Sequence, residues 1–324
     1  MFEFITSANP FLFNAIVLFL SLLIVVKAAD LLIFGISNYA HKFGISDFLV
    51  GFLVLAIGTS LPDLVASLMG GMAGSSGIII GTILGGGIVT ITFVLGLICI
   101  VAGELNMKSR LLGKSVYVIL LMLVLPLIML LDARISRVDG FLLILVFLAY
   151  VLGLWKKEGS FGKIKKSVKI VHLWKDVLIF LGALVALLLG AKFLVASAVV
   201  ISQEMGISSY IIALVIICLG TSLPDLTVEL KSLLKGHAGI GVGNLLGGIT
   251  SSLLLVLGIV SVFYPVSLEG ISFLSIAIAG FVFLFSTSLV VFWMRKKVLQ
   301  RWQGVVLVCI YLAFVASQIV LEIV

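Results

Sequence analysis

The chain has 324 residues, 62% of them hydrophobic and only 11% charged, with a mean hydropathy of +1.39. No water-soluble domain of this size carries so little polar surface, so the solvent is lipid. The net charge of +7 raises nucleic acid as a partner, and its distribution along the chain, given below, excludes it.

Apolar stretches of about 20 residues, the length a helix needs to cross a bilayer, recur from end to end. In chain order they predict spans at 11–40, 47–72, 77–102, 113–132, 138–154, 174–202, 208–235, 238–264, 270–293 and 303–322. The fold class expected is an all-α polytopic membrane protein, about ten transmembrane helices arranged as two inverted five-helix repeats. The first residues carry Glu3 and no basic cluster, so a cleaved signal peptide is not expected. Cys99, Cys218 and Cys309 all lie in apolar stretches and form neither a disulfide framework nor a metal-binding spacing.

The longest polar stretch, 155–173, holds Lys156, Lys157, Lys163, Lys165, Lys166 and Lys169. It separates a first five-helix repeat, 1–154, from a second, 174–324. Placing this loop in the cytoplasm puts both termini outside and 17 of the 21 basic residues at cytoplasmic ends. Arg134 and Arg137 are then outside, and Lys27 and Lys192 lie within spans. The basic charge is therefore a topology signal of the positive-inside kind. A compact chain of this design, with no regulatory domain, points to a prokaryotic plasma membrane.

The two halves repeat at a constant offset of 162 residues. Gly44-Ile45-Ser46 matches Gly206-Ile207-Ser208, Gly81 and Gly85 match Gly243 and Gly247, and Ala29 matches Ala191. The best-kept element is the hexapeptide Gly-Thr-Ser-Leu-Pro-Asp, at Gly58–Asp63 and Gly220–Asp225. Each half has an odd number of spans, so the second enters the membrane inverted. Secondary transporters built this way bind their cargo near the midplane, on the repeat interface.

A carboxylate at that depth costs roughly 3 kcal/mol or more and needs a reason to be there. Pro62 and Pro224 lack an N–H and clash with the carbonyls four residues back, those of Gly58 and Gly220. Carbonyl oxygens are expected to be released there, beside the hydroxyls of Thr59, Ser60, Thr221 and Ser222. With Asp63 and Asp225 they make an all-oxygen set suited to a hard cation such as Ca²⁺ or Na⁺. Two carboxylates neutralise one Ca²⁺ or two Na⁺. The glycine-rich elements Gly81–Gly87 and Gly243–Gly248 read as close helix packing, with a share in letting backbone approach the ion. Thr90, Thr250, Ser251 and Ser252 follow, each able to bond a backbone carbonyl or an ion. Glu229, one turn after Asp225 on the cytoplasmic side, reads either as lining an inner vestibule or as a helix-end residue near Lys231, and Lys27 and Asp30 read as a pair within the first span.

These motifs resemble the alpha repeats of the cation/calcium antiporter superfamily, and the whole chain is similar to its short prokaryotic sodium/calcium exchangers. The resemblance implies Ca²⁺ held by Asp63, Asp225 and the carbonyls of Thr59 and Thr221, with Ser60 and Ser222 lining the same region. It implies flanking Na⁺ sites that use the carbonyls of Ala56 and Cys218. Neither an enzymatic activity nor a cofactor is expected; the partners are the transported Ca²⁺ and Na⁺ and the bilayer. The pattern departs from the family in having aspartate where the archaeal exchangers have glutamate. It also has Gly86 and Gly248 where the family often has serine, and Thr90 and Ser252 where an asparagine and a further aspartate are expected. Fewer Na⁺ per cycle, a proton on an aspartate or another cation would each fit the pared-down site. The function expected is Ca²⁺/Na⁺ antiport by alternating access. The alternatives are an H⁺- or K⁺-coupled antiporter of the same superfamily and, further off, an intramembrane aspartyl protease.

Overall fold

The computed structural model describes residues 10–42, 52, 55–106, 114–158, 173–234, 238–294 and 298–323. The loop 155–173 falls largely outside these, as do the side chains of Trp155 and Trp174.

The expected spans are present as helices among the described residues. They are α1 (Pro10–Lys42), the short α2 (Ala56–Thr59) continuing into α3 (Leu61–Met72), and α4 (Ser76–Val89) continuing into α5 (Leu95–Ala102). Then come α6 (Lys114–Met129), α7 (Arg137–Glu158), α8 (Leu173–Met205) and α9 (Ser209–Ile212). The chain proceeds through α10 (Cys218–Thr221), α11 (Leu223–Leu234), α12 (Ala238–Thr250), α13 (Leu257–Phe263), α14 (Phe273–Met294) and α15 (Arg301–Ile323). Among the described residues, eight helical stretches are long and apolar enough to cross a membrane, and Tyr117–Asp132 is a shorter apolar one. The second span is only partly described and is broken at Ser60, which is why it escapes a test of length.

Burial sorts these helices into a centre and a wrapping. The stretches Ser76–Ala102 and Gly243–Phe263 are each 83% buried, against 22% for Phe11–Ala28 and for Arg137–Leu154. The glycine-rich spans thus form the middle, where Ile83, Leu84, Ile88, Ile91, Leu253 and Leu254 are packed on all sides. The two long helices, α1 and α8, lie along each other at the periphery. Leu12, Ile16, Phe19, Leu20 and Leu23 of α1 stand exposed, a face that only a lipid solvent tolerates. Lys27 is also exposed on α1, and among the described residues no ion pair joins it to Asp30, so the expected pairing does not form.

Among the described residues, π-type segments run over Thr90–Val94, Ala213–Ile217 and Ser251–Val256. The first and third match at the repeat offset, and the second is matched by π-type turns at Phe52 and Leu55. Such wide turns rarely occur in long runs and tend to sit at functional sites.

Among the described residues, four short strands join the helices in pairs. Strand β1 (Glu104–Asn106) pairs antiparallel with β4 (Val298–Gln300), and β2 (Arg134–Ile135) with β3 (Val266–Ser267). At the end that carries β2 and β3, Ser75 Oγ lies 2.8 Å from Ser209 Oγ, and the Ser267 N–H donates to Ser76 Oγ at 3.2 Å. Glu322, near the end of α15, accepts from the N–H and hydroxyl of Ser208 at the same end. These connectors enclose a polar cavity of about 310 Å³ lined by Ser75, Ser208, Tyr210, Ser267 and Glu269.

Candidate cation site at the two helix breaks

Both hexapeptides break their helix at the serine. Ser60 adopts φ −80°, ψ −5° and Ser222 φ −85°, ψ −4°, the sparsely populated bridge conformation that tightens a turn. The following proline then opens a new helix, where its fixed φ and missing N–H are tolerated. Asp63 and Asp225 accordingly fall in the first turns of α3 and α11. A helix N-terminus carries partial positive charge, which eases the burial of each carboxylate.

At each break the serine N–H closes on the carbonyl four residues back, Ser60 on Ala56 and Ser222 on Cys218. Pro62 and Pro224 have no N–H to offer the Gly58 and Gly220 carbonyls.

Every side chain named from the sequence is buried: Ala56 and Cys218 at 0% exposure, Thr59 and Thr221 at 1%, Ser60 and Ser222 at 3%, Asp63 at 7% and Asp225 at 9%. The halves exchange partners across the interface, with Thr221 beside Asp63 and Thr59 beside Asp225. The two aspartates are within Coulombic reach of each other. Asp63 Oδ2 accepts from Ser252 Oγ at 3.0 Å, while Asp63 Oδ1 is buried with no hydrogen-bond partner. A buried carboxylate oxygen left unsatisfied is a defect in a purely structural site and a ready ligand in a cation site.

The Ala56 carbonyl accepts from Ser60 N at 3.1 Å, from Ser60 Oγ at 2.8 Å and from Thr59 Oγ1 at 3.2 Å. The Cys218 carbonyl accepts from Ser222 N at 3.0 Å and from Thr221 Oγ1 at 3.3 Å. An ion at either carbonyl would replace the hydroxyl hydrogen and turn the same hydroxyl's lone pairs towards itself. Among the described residues no group of three His, Cys, Asp or Glu side chains converges closely enough to hold a metal alone. A cation held here would need hydroxyl and carbonyl oxygens as well.

The glycines divide by what a side chain would meet. A Cβ at Gly86 would lie 3.4 Å from Asp63 Oδ2, and one at Gly248 would lie 3.7 Å from Asp225 Oδ1. These two let the central helices press against the carboxylates. Gly81 and Gly247 serve packing: a Cβ there would stand 2.5 Å from the Tyr210 carbonyl and 2.6 Å from that of Phe52. The downstream hydroxyls divide too. Thr250 bonds the Leu246 carbonyl at 2.6 Å, whereas Ser252 bonds Asp63 and, at 3.3 Å, Ser60 Oγ.

Three residues beside the aspartates are only partly legible in the sequence. Ser252 reads there as bonding either a backbone carbonyl or an ion, and in the fold it spans the interface. Asn244 sat unremarked among glycines; its Nδ2 donates to Asp225 Oδ1 at 3.1 Å, and its Oδ1 lies 3.4 Å from Thr59 Oγ1. Glu229, open in the sequence between an inner vestibule and a helix end, is 2% exposed, with its Oε1 3.5 Å from Asn244 Nδ2. Its departure from the first half, where Ser67 stands at the matching place, was the available signal.

The sequence model of the family described as sodium/calcium exchanger protein matches residues 13–156 and 175–320, one stretch in each half. The sodium/calcium exchanger MaX1 of Methanosarcina acetivorans is 26% identical over 93% of this chain and 97% of its own length. The inner membrane protein YrbG of Escherichia coli is 28% identical over 79% of this chain and 82% of its own. Among solved structures, the sodium-calcium exchanger NCX_Mj soaked with Na⁺ and Sr²⁺ superposes with a TM-score of 0.69 at 27% identity, covering 95% of this chain and 99% of that one. With both halves matched and the architecture shared over nearly its full length, the chain belongs to the sodium/calcium exchanger family of integral membrane transporters.

Proposed function

We propose that the chain is a secondary-active antiporter that exchanges Ca²⁺ for Na⁺, with the cation held at the midplane between Asp63 and Asp225. The observation that carries this reading is the pair of matched helix breaks, which set two buried carboxylates and their hydroxyls against each other, one of the carboxylate oxygens without a partner. Ca²⁺ would take the two carboxylates and the carbonyls of Thr59 and Thr221. Na⁺ would take flanking positions on the Ala56 and Cys218 carbonyls with Ser60 and Ser222, and would compete for the same two charges. An unloaded site leaves like charges buried and facing, so the protein changes sides at low cost only when loaded. The mover in this reading is the peripheral pair α1 and α8, sliding against the buried centre.

In the cell the units 1–154 and 174–324 would be inverted halves of one prokaryotic plasma-membrane protein. The loop 155–173 would be cytoplasmic and both termini outside. The family assignment speaks for transport over peptide cleavage, which removes the reason for a protease reading.

The test is ⁴⁵Ca²⁺ uptake into proteoliposomes loaded with Na⁺, K⁺ or choline, the pH gradient collapsed. Uptake from Na⁺-loaded vesicles alone is expected, and its loss is expected in both Asp63→Asn and Asp225→Asn. Uptake indifferent to Na⁺ would make a proton or K⁺ the coupling ion; robust transport by either variant would remove the aspartates from the site.

A further inference from the structure

We propose that Glu229 is a third carboxylate of the transport system, acting on Asp225 through Asn244, and that it sets how many monovalent cations are exchanged for each Ca²⁺. This rests on the antiport reading and goes beyond it to a residue that neither hexapeptide contains.

Glu229 follows Asp225 by four residues on α11, so both carboxyls leave the same face of the helix. Asn244 of α12 reaches both, its amide nitrogen 3.1 Å from Asp225 Oδ1 and 3.5 Å from Glu229 Oε1. The amide has two hydrogens and so can serve two carboxylates at once. It is neutral, however, and cancels the charge of neither. Asn244 is fully buried, Glu229 is 2% exposed, and the titratable neighbours facing Glu229 are Asp225 on its own helix and Cys99 of α5. Among the described residues no basic side chain pairs with it; the one ion pair there, Asp132 with Arg134, lies at the surface. An ionised acid in this setting is tolerated only with a compensating positive charge.

The first half shows what the same geometry looks like without the acid. At the offset of 162, Glu229 corresponds to Ser67 and Asn244 to Thr82. Both first-half hydroxyls are buried and have no hydrogen-bond partner. The extra charge is thus added on one side of the pseudo-two-fold only. In the orientation proposed above that side is the cytoplasmic one. With Glu229 ionised, Asp63, Asp225 and Glu229 together carry one negative charge beyond what a single Ca²⁺ neutralises. A third monovalent cation balances it.

The experiment measures ⁴⁵Ca²⁺ uptake into Na⁺-loaded proteoliposomes with the membrane potential set by K⁺ and valinomycin, and the steepness of uptake against internal Na⁺. The wild-type protein is expected to respond to voltage, faster when the interior is positive, with a Na⁺ Hill coefficient above 2. In Glu229→Gln the voltage response should vanish and the coefficient fall towards 2, while ⁴⁵Ca²⁺/Ca²⁺ self-exchange persists because Asp63 and Asp225 remain. Glu229→Asp should keep voltage dependence. A Glu229→Gln protein with wild-type voltage response and steepness overturns the proposal, and so does a wild-type protein that is already electroneutral. Loss of self-exchange in both the Gln and the Asp variants would make Glu229 a structural residue. No Ca²⁺ transport by the wild type under any gradient would instead overturn the antiport reading itself.

Discussion

Gly81 and Gly86 are one helical turn and a residue apart on α4, yet they do different work. A methyl group at Gly81 would drive into the Tyr210 backbone carbonyl, which has no rotamer through which to yield. Gly81→Ala should therefore cost about 1–3 kcal/mol, the range for overpacking a tight interface, and lower the unfolding temperature in detergent by several degrees. At Gly86 the neighbour is the Asp63 carboxylate at 3.4 Å. Gly86→Ser should leave the unfolding temperature within a degree or two of wild type and change the apparent Ca²⁺ affinity in ⁴⁵Ca²⁺ uptake. If both variants lose stability alike, the division of the glycines fails. The sequence shows that the acids matter, because a carboxylate in an apolar run has few explanations. Asn244 and Ser252 are different, since an amide or hydroxyl on a helix more often bonds its own backbone, as Thr250 does. Only the third dimension tells these cases apart.

At the level of elements, apolar length alone locates the helices, because a lipid-exposed backbone must bond within its own segment. What composition cannot locate is the interior of a span. The π-type segment at Ala213–Ile217 is apolar throughout, and Ser251 and Ser252 look like any helix hydroxyls, so neither segment is marked before folding. They re-aim side chains next to the site, and the serine breaks finish the task. The break depends on the missing N–H at Pro62 and Pro224. Pro62→Ala restores a donor four residues from the Gly58 carbonyl and should let α2 and α3 run together as one helix. We expect exchange to fall tenfold or more in this variant with the unfolding temperature unchanged or higher, read by uptake and thermal unfolding on the same preparation. Equal loss of both would instead indicate general damage.

For the whole molecule, the orientation proposed from the lysines puts the connectors at Ser75, Ser209, Ser267 and Glu322 outside, and these residues gather at one end. In a Cys309→Ser background, Gly162→Cys should react with a membrane-impermeant maleimide in inside-out vesicles and not in right-side-out ones; Cys99 and Cys218 are buried and should stay silent. Labelling from the outer face would invert the topology. The paired strands bear on a separate matter, the mechanics of the cycle. β1 and β2 belong to the first half and β3 and β4 to the second, so each ribbon stitches one half to the other, and the pairs lie at matching places under the repeat. The halves are laced together twice, around α4–α7 and α12–α15, which works against their rocking apart as two shells. α1 and α8 carry none of these stitches. The laced helices would then act as a stationary frame, and each transport cycle would be a shuttle stroke of two unlaced rods along it.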